Sequence, residues 1–456
     1  MSSESTPLLA NGSHPPSFAH RAVTILKSEG EPSWAHSFRY FLCSSYVNIF
    51  LLLVPLSACA HYLGWDAAVR FSISFLAIIP LAKLLGDATE QMAMSLGQTL
   101  AGLLNATFGN AVEIIVGVTA LLQDQIHIVK ASMLGSILSN ILLVLGCSFL
   151  AGGLVQPESS FRVTAAQTNA SLMTLACITL VIPAAYHSAQ AKIGGDFVQP
   201  TPVEPGIVSA LGASIDNDDH ITDMDPAAMD GLLIISRGTA LLLLGVYVCY
   251  LIFQLKTHQK LFEARARTKR QPTLGFSSCP SSPALPPAVT LPGEEPPKEE
   301  GEVAQMNMLS AGVALFVVTV ITAFVADFLV AAIEGTAKRY NIPKAFIGLI
   351  LLPLVANAAE HVTSVWMAMK NKMELTISVC VGSSIQLATF VVPLLVTIGW
   401  ISGHELTLFF NNFETVVFFV SVMLVNMLIQ DGKSNYMEGV MLLALYFVIA
   451  LAFWVS

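Results

Sequence analysis

Apolar residues in this chain do not alternate with polar ones. They run together in long blocks separated by short polar joints. A helix needs about 20 mostly apolar residues to cross a hydrocarbon layer, because its backbone groups find no partner there except one another. Eleven blocks meet that requirement, at roughly 44–62, 69–86, 97–122, 128–153, 165–186, 231–254, 308–331, 344–369, 375–400, 406–429 and 436–455. The pattern predicts an all-α integral membrane protein of eleven transmembrane helices. Two longer polar stretches interrupt the blocks. Residues 256–305 begin basic, turn Pro/Ser-rich from Gln271 to Pro297 and end on Glu294, Glu295, Glu299, Glu300 and Glu302, a composition that builds no core and reads as a disordered linker. Residues 187–230 hold Asp196, Glu204, Asp216, Asp218, Asp219, Asp223, Asp225 and Asp230 against Lys192, His187 and His220, and read as an acidic loop. The stretch from Asp216 to Asp225 lacks the glycine and the bidentate glutamate of a calcium-binding loop, which leaves a plain solvated loop and a weak calcium site both open.

Composition agrees: 54% hydrophobic and 12% charged residues make lipid the solvent for most of the chain. The net charge of −9 is gathered mainly in the two loops and the N-terminal tail, so it does not point to nucleic acid. Six of the seven cysteines, Cys43, Cys59, Cys147, Cys177, Cys249 and Cys380, lie in apolar blocks and Cys279 in a polar one, with no CxxC spacing; they read as packed thiols. Residues 1–37 are polar and carry no signal peptide, so the first span directs insertion. Lys256, Lys260, Arg265, Arg267, Lys269 and Arg270 follow the sixth span, and the positive-inside rule puts them in the cytosol with Arg162, Lys370, Lys372 and Lys433. By parity the N-terminus is then cytosolic and the C-terminus lies across the membrane, with Lys338, Arg339 and Lys344 on the far side against the trend.

A duplication locates the chemistry. Residues 109–120 read GNAVEIIVGVTA and residues 356–367 read ANAAEHVTSVWM. From Glu113 to Gly135-Ser136-Ile137, and from Glu360 to Gly382-Ser383-Ser384-Ile385, the spacing is the same 22 residues. The pairing makes spans 2–6 equivalent to spans 7–11, and a unit of five crossings enters the membrane from opposite sides in its two copies: an inverted repeat. The predicted organisation is a cytosolic tail (1–37), an accessory transmembrane helix (38–66), a first five-helix repeat (67–255), the cytosolic linker (256–305) and a second five-helix repeat (306–456).

An ionised glutamate within a membrane span costs several kcal/mol on insertion scales, about 3 or more, so two at matched positions call for a function. Asn110 and Asn357 each precede their glutamate by three residues, which on a helix puts amide and carboxylate on one face. Ser136, Ser383, Ser384 and Gln386 add oxygens from the next span, and the adjacent glycines are expected to let backbones approach. Each serine has a second reading, a bond to its own backbone or a neighbouring helix. Hard oxygen donors without cysteine suit Ca2+, and less decisively Mn2+, over Zn2+ or Cu+. Pro353, four residues before Asn357, is expected to free the carbonyl of Leu349 or to kink the span. His361 points about 100° from Glu360 on an ideal helix, leaving ligation, outer support and packing all open. Asp87 and Glu90 after the second span, and Glu334 after the seventh, are vestibule acids or ordinary solvated helix ends.

These residues resemble the Ca2+/H+ exchanger (CAX) family of the cation/Ca2+ exchanger superfamily, its fungal vacuolar members in particular, over residues 38–456. The resemblance implies a ten-helix inverted-repeat core plus one N-terminal helix, with Glu113 and Glu360 binding Ca2+ and H+ in alternation. It implies supporting roles for Asn110, Asn357, Ser136, Ser383 and Gln386, and places Glu90 as an acid at the cytosolic entrance. One departure stands out: related yeast exchangers carry an acidic helix just after the sixth span, where this chain has LFEARARTKRQ. Glu4 followed by Leu8-Leu9 resembles an acidic dileucine sorting signal and fits a vacuolar address. The expectation is a secondary antiporter in the vacuolar membrane, without enzymatic activity and without a cofactor beyond the transported Ca2+ and H+. Three rivals stay open: a Na+-coupled Ca2+ exchanger of the same fold, a metal-dependent intramembrane hydrolase, for which the chain has no HExxH, and a passive channel.

Overall fold

A backbone without water to bond to must bond to itself, and helices fill most of the chain. The computed structural model describes residues 32–96, 98–194, 226–258 and 304–455. The N-terminal tail with its dileucine, the centre of the acidic loop with its calcium-like stretch, and nearly all of the 256–305 linker lie outside the described residues.

In chain order the helices are α1 (Trp34–Cys43), α2 (Tyr46–Tyr62, opening as a 3-10 turn), α3 (Ala67–Ser95), α4 (Gln98–Phe108), α5 (Ala111–Leu122), α6 (Ile126–Val155), α7 (Val163–Gly194), α8 (Met229–Thr257), α9 (Met308–Tyr340), α10 (Lys344–Ala356), α11 (Ala358–Met369), α12 (Met373–Ser402), α13 (Asn412–Leu428) and α14 (Tyr436–Val455). Seven are long and apolar enough to cross a membrane: α3, α6, α7, α8, α9, α12 and α14. Three bent pairs pass the same test, α1 with α2 at 91°, α4 with α5 at 44° and α10 with α11 at 58°. A short antiparallel pairing of Ser159–Ser160 (β1) with Lys433–Ser434 (β2) ties the joint after α6 to the joint after α13.

Four expectations need correction. The blocks 97–122 and 344–369 are broken helices, not continuous ones, because Asn110 (φ −112°, ψ 28°) and Asn357 (φ −84°, ψ 8°) leave helical geometry. The second and seventh spans run on to Ser95 and Tyr340, so Asp87, Glu90 and Glu334 lie inside helices and not after them. The block 406–429 is helical only from Asn412. Gly403, at φ +82°, ends α12, and Leu406–Phe410 pack as buried irregular chain until an Asn411–Glu414 capping box starts α13. The fourth concerns α1, which the pattern did not predict: Ser33 caps it, and it crosses the boundary placed at residue 38.

The long helices α3 and α9 pack more extensively than any other pair, and α9 also lies on α5. Arg339 of α9 pairs with Asp66, and Lys338 with Glu334. Inside them, α6 meets α10 where Gly135 faces the backbone of Leu349, so closely that an added methyl group would run into its carbonyl. The carbonyl expected to be freed by Pro353 is therefore covered by α6, and the preceding turns, Ile347–Leu351, widen into a π-helix. Gly382, the repeat partner of Gly135, has open space around its Cα. Close approach at the Gly-Ser element thus holds in one half only.

Candidate functional site

The two breaks place two half-helices, α5 and α11, so that each begins inside the bundle with a glutamate in its first turn. Helix amino-termini carry partial positive charge, and Glu113 and Glu360 sit where that charge favours a carboxylate. The preceding half-helices α4 and α10 end at the same breaks and bring the partial negative charge of their last carbonyls. Each break thus offers complementary ends to an anion and a cation. The two carboxylates lie close enough for their charges to act on each other.

Hydrogen bonds cross between the halves here. Asn110 donates from Nδ2 to Gln386 Oε1 at 2.7 Å and accepts at Oδ1 from the Ser383 hydroxyl at 3.1 Å. Asn357 donates from Nδ2 to the Ser136 carbonyl at 3.1 Å. Glu113 is 3% exposed and Asn110 is fully buried. Glu360 is half-buried, yet its Oε2 is shielded and has no hydrogen-bond partner; the same holds for Asn357 Oδ1. Buried acceptor oxygens without donors are costly unless a cation fills the gap. A small, mostly apolar cavity adjoins Glu113, lined by Ser132, Met133 and Ser136 of α6, Leu329 of α9 and Pro353 of α10.

The structure therefore brings together Asn110, Glu113, Ser136, Asn357, Glu360, Ser383 and Gln386. Ser384 falls outside this set: its hydroxyl donates to the Cys380 carbonyl of its own helix at 2.8 Å. His361 is half-buried one residue beyond Glu360, and its backbone N–H donates to the Asn357 carbonyl at 2.9 Å. Glu90 is exposed on α3, more than one turn from that helix's end. The Asn–Glu spacing does not act as a shared helix face, because both asparagines sit at the break itself.

One residue was missed. Asn140 is fully buried on α6, donates from Nδ2 to Ser383 Oγ at 3.1 Å, interacts with Glu360 and has an unpartnered Oδ1. Its repeat counterpart is Leu387, so a search for matched residues passes over it. The signal was a lone Asn in the apolar run SILSNILLVLG. Donors at the site are two carboxylates with amide and hydroxyl oxygens; among the described residues no three His, Cys, Asp or Glu side chains cluster as a metal site.

Residues 67–256 and 310–455 match the family described as sodium/calcium exchanger protein. The chain belongs to the sodium/calcium exchanger family. Among relatives of this exchanger is the vacuolar calcium ion transporter of Schizosaccharomyces pombe, 38% identical over 444 residues, covering 95% of this chain and 93% of that protein. A Ca2+/H+ antiporter of Aphanothece halophytica is 39% identical over 404 residues, covering 89% of the exchanger and 95% of the relative. The solved structure of native YfkE superposes with a TM-score of 0.64 at 30% identity, covering 89% of this chain and all of the other. The crystal structure of the H+/Ca2+ exchanger CAX, at 12% identity and a TM-score of 0.54, shares the fold.

Proposed function

We propose that this exchanger is a secondary antiporter that moves Ca2+ out of the cytosol in exchange for H+, with Glu113 and Glu360 as the groups for which the two ions compete. The observation that carries the reading is the meeting of two glutamates, each in the first turn of a half-helix, inside a shell of buried amide and hydroxyl oxygens. Two carboxylates held close in a medium of low dielectric repel each other when both are ionised. A divalent cation relieves that repulsion, and so do protons. Occupancy by one excludes full occupancy by the other, and exclusion at a single site couples the two fluxes. An acidic compartment loads the carboxylates with protons and releases Ca2+; near neutral pH they give up protons and take Ca2+. Each pH unit across the membrane contributes about 1.4 kcal/mol per proton.

In this reading Asn110 and Asn357 supply further oxygen ligands, while Ser136, Ser383 and Gln386 hold the asparagines and Glu360 in place. Glu90 draws cations at the cytosolic mouth and His361 stands beside the site. Ca2+ suits the hard oxygen set, with Mn2+ as a second candidate cargo. The seven long helices, the three bent pairs and α13 form eleven crossings, an accessory α1–α2 element followed by two inverted five-helix repeats. Support for the repeat comes from the matched breaks and from π-helical segments at Ser139–Val144 and Leu387–Val391, nearly equal distances beyond each Gly-Ser element. The N-terminus is cytosolic and the C-terminus luminal, and the names of the fungal relatives favour the vacuolar membrane.

Vesicles acidic inside and carrying the protein test the reading by Ca2+ uptake. Uptake should collapse with a protonophore and with either Glu113→Gln or Glu360→Gln. Uptake driven by a Na+ gradient and indifferent to pH would replace H+ by Na+; uptake indifferent to both would make the protein a channel.

A further inference from the structure

Two cavities within the bundle share Met133 as a lining residue. The first adjoins Glu113. The second, also small, is bounded by Val129, Lys130 and Met133 of α6, by Leu395 and Val396 of α12 and by the irregular segment after α12. On α6, Ser136, Met133 and Val129–Lys130 follow at spacings of three to four and share one helix face. They mark a line from the Glu113 cavity to the end of α6 at Ile126. Between the cavities, Met133 and Leu395 both rest on Gly117 of α5, where a methyl group would meet Leu395 Cδ1 at 2.6 Å and Met133 Cε at 3.4 Å.

The outer wall of the second cavity is not helical. Leu406–Phe410 are buried without regular structure, and irregular backbone at membrane depth persists only where protein covers it or where it lines a water-filled space. The Leu408 N–H donates to Ser236 Oγ on α8 at 2.9 Å, and the Lys130 ammonium donates to Thr407 Oγ1 at 2.9 Å. The segment is thus fastened to α6 and α8 from inside.

We propose that these two cavities form the route by which the transported cation leaves toward the non-cytosolic side, with Met133 and Leu395 as its gate and residues 403–411 as its outer wall. The inference rests on the exchange reading above. A thioether and a leucine between two chambers make an apolar constriction, which stops a hydrated ion by excluding water. Methionine has an unbranched, flexible side chain that can swing aside without moving the backbone.

The test uses a membrane-impermeant maleimide applied from the non-cytosolic face to the full chain carrying Val116→Cys, a position lining the first cavity. The signal is what this cysteine adds to the native ones. With Met133→Ala, labelling should speed up by about tenfold or more, as expected when an apolar constriction is widened. Met133→Phe should slow exchange by about tenfold while Ca2+ binding to the purified protein changes by less than about twofold, since a gate acts on passage and not on the bound ion. Equal labelling rates with Met133 and with alanine would overturn the proposal. So would loss of Ca2+ binding in either variant, which would make Met133 a packing residue of the site. Labelling needs no ion gradient, so it reads the gate even if the coupling ion is not H+; failure of the exchange reading would show only in the vesicle assay.

Discussion

At the scale of single residues, the site is two carboxylates whose surroundings differ. Glu360 faces Ser383 and Asn140, while Glu113 is buried beside an apolar cavity. Removing either carboxylate takes away one of the two negative charges that a bound Ca2+ neutralises. Glu113→Gln and Glu360→Gln should each weaken Ca2+ binding by about 3–5 kcal/mol, roughly 100-fold or more, measured by calorimetry on purified protein. A hydrogen bond to a charged group contributes about 1.5–3 kcal/mol, so Asn140→Leu, which copies the residue at the matching place in the second half, should weaken Ca2+ binding by roughly 10- to 100-fold. Unchanged affinity would remove Asn140 from the site. Competition sets the sign of the pH effect: lowering cytosolic pH should raise the KM for Ca2+ and leave Vmax nearly constant. A fall in Vmax at constant KM would mean that protons act elsewhere than on the carboxylates.

At the scale of elements, the Gly-Ser motifs give a paired test of packing. Gly135→Ala drives a methyl group into the Leu349 backbone, whereas Gly382→Ala enters open space. The first should cost about 1–3 kcal/mol of stability. The second should cost nothing or stabilise by up to about 1 kcal/mol, because alanine narrows the unfolded ensemble. Thermal unfolding in detergent separates them, and equal shifts would contradict the packing described. The same motifs mark what the sequence could convey. Apolar blocks announce where helices run, since lipid demands internal bonding, and two identical spacings announce which residues meet. Helix breaks at Asn110 and Asn357 were not legible, because asparagine tolerates helical and bridge conformations alike and only the opposing helices decide between them. Asn140 escaped because it belongs to the part of the site without internal symmetry. Leu406–Phe410 read as a span because apolar residues buried against protein and against lipid look alike in one dimension.

At the scale of the whole molecule, the number of crossings is the property on which orientation turns. An odd number puts the termini on opposite sides; losing one crossing returns them to the same side. The weakest member is α13, whose 17 residues span about 25 Å at 1.5 Å per residue, short of a hydrocarbon layer of about 30 Å. The buried Leu406–Phe410 segment directly before it supplies the missing apolar depth without continuing the helix. The bonds from Ser236 and Lys130 satisfy two of its polar groups there. If this is how the chain completes that crossing, an N-terminal tag should be cut by protease added to the cytosolic face of sealed vesicles. A C-terminal tag should stay intact until detergent is added. Cleavage of both tags would leave an even number of crossings. The first suspect would then be the accessory element: α1 turns through 91° from α2, and both stand outside the matched motifs. A maleimide test at the exposed Lys372→Cys, in the joint between α11 and α12, assigns the fault. Cytosolic labelling there keeps α2 as a crossing and removes α13, while protection removes α2.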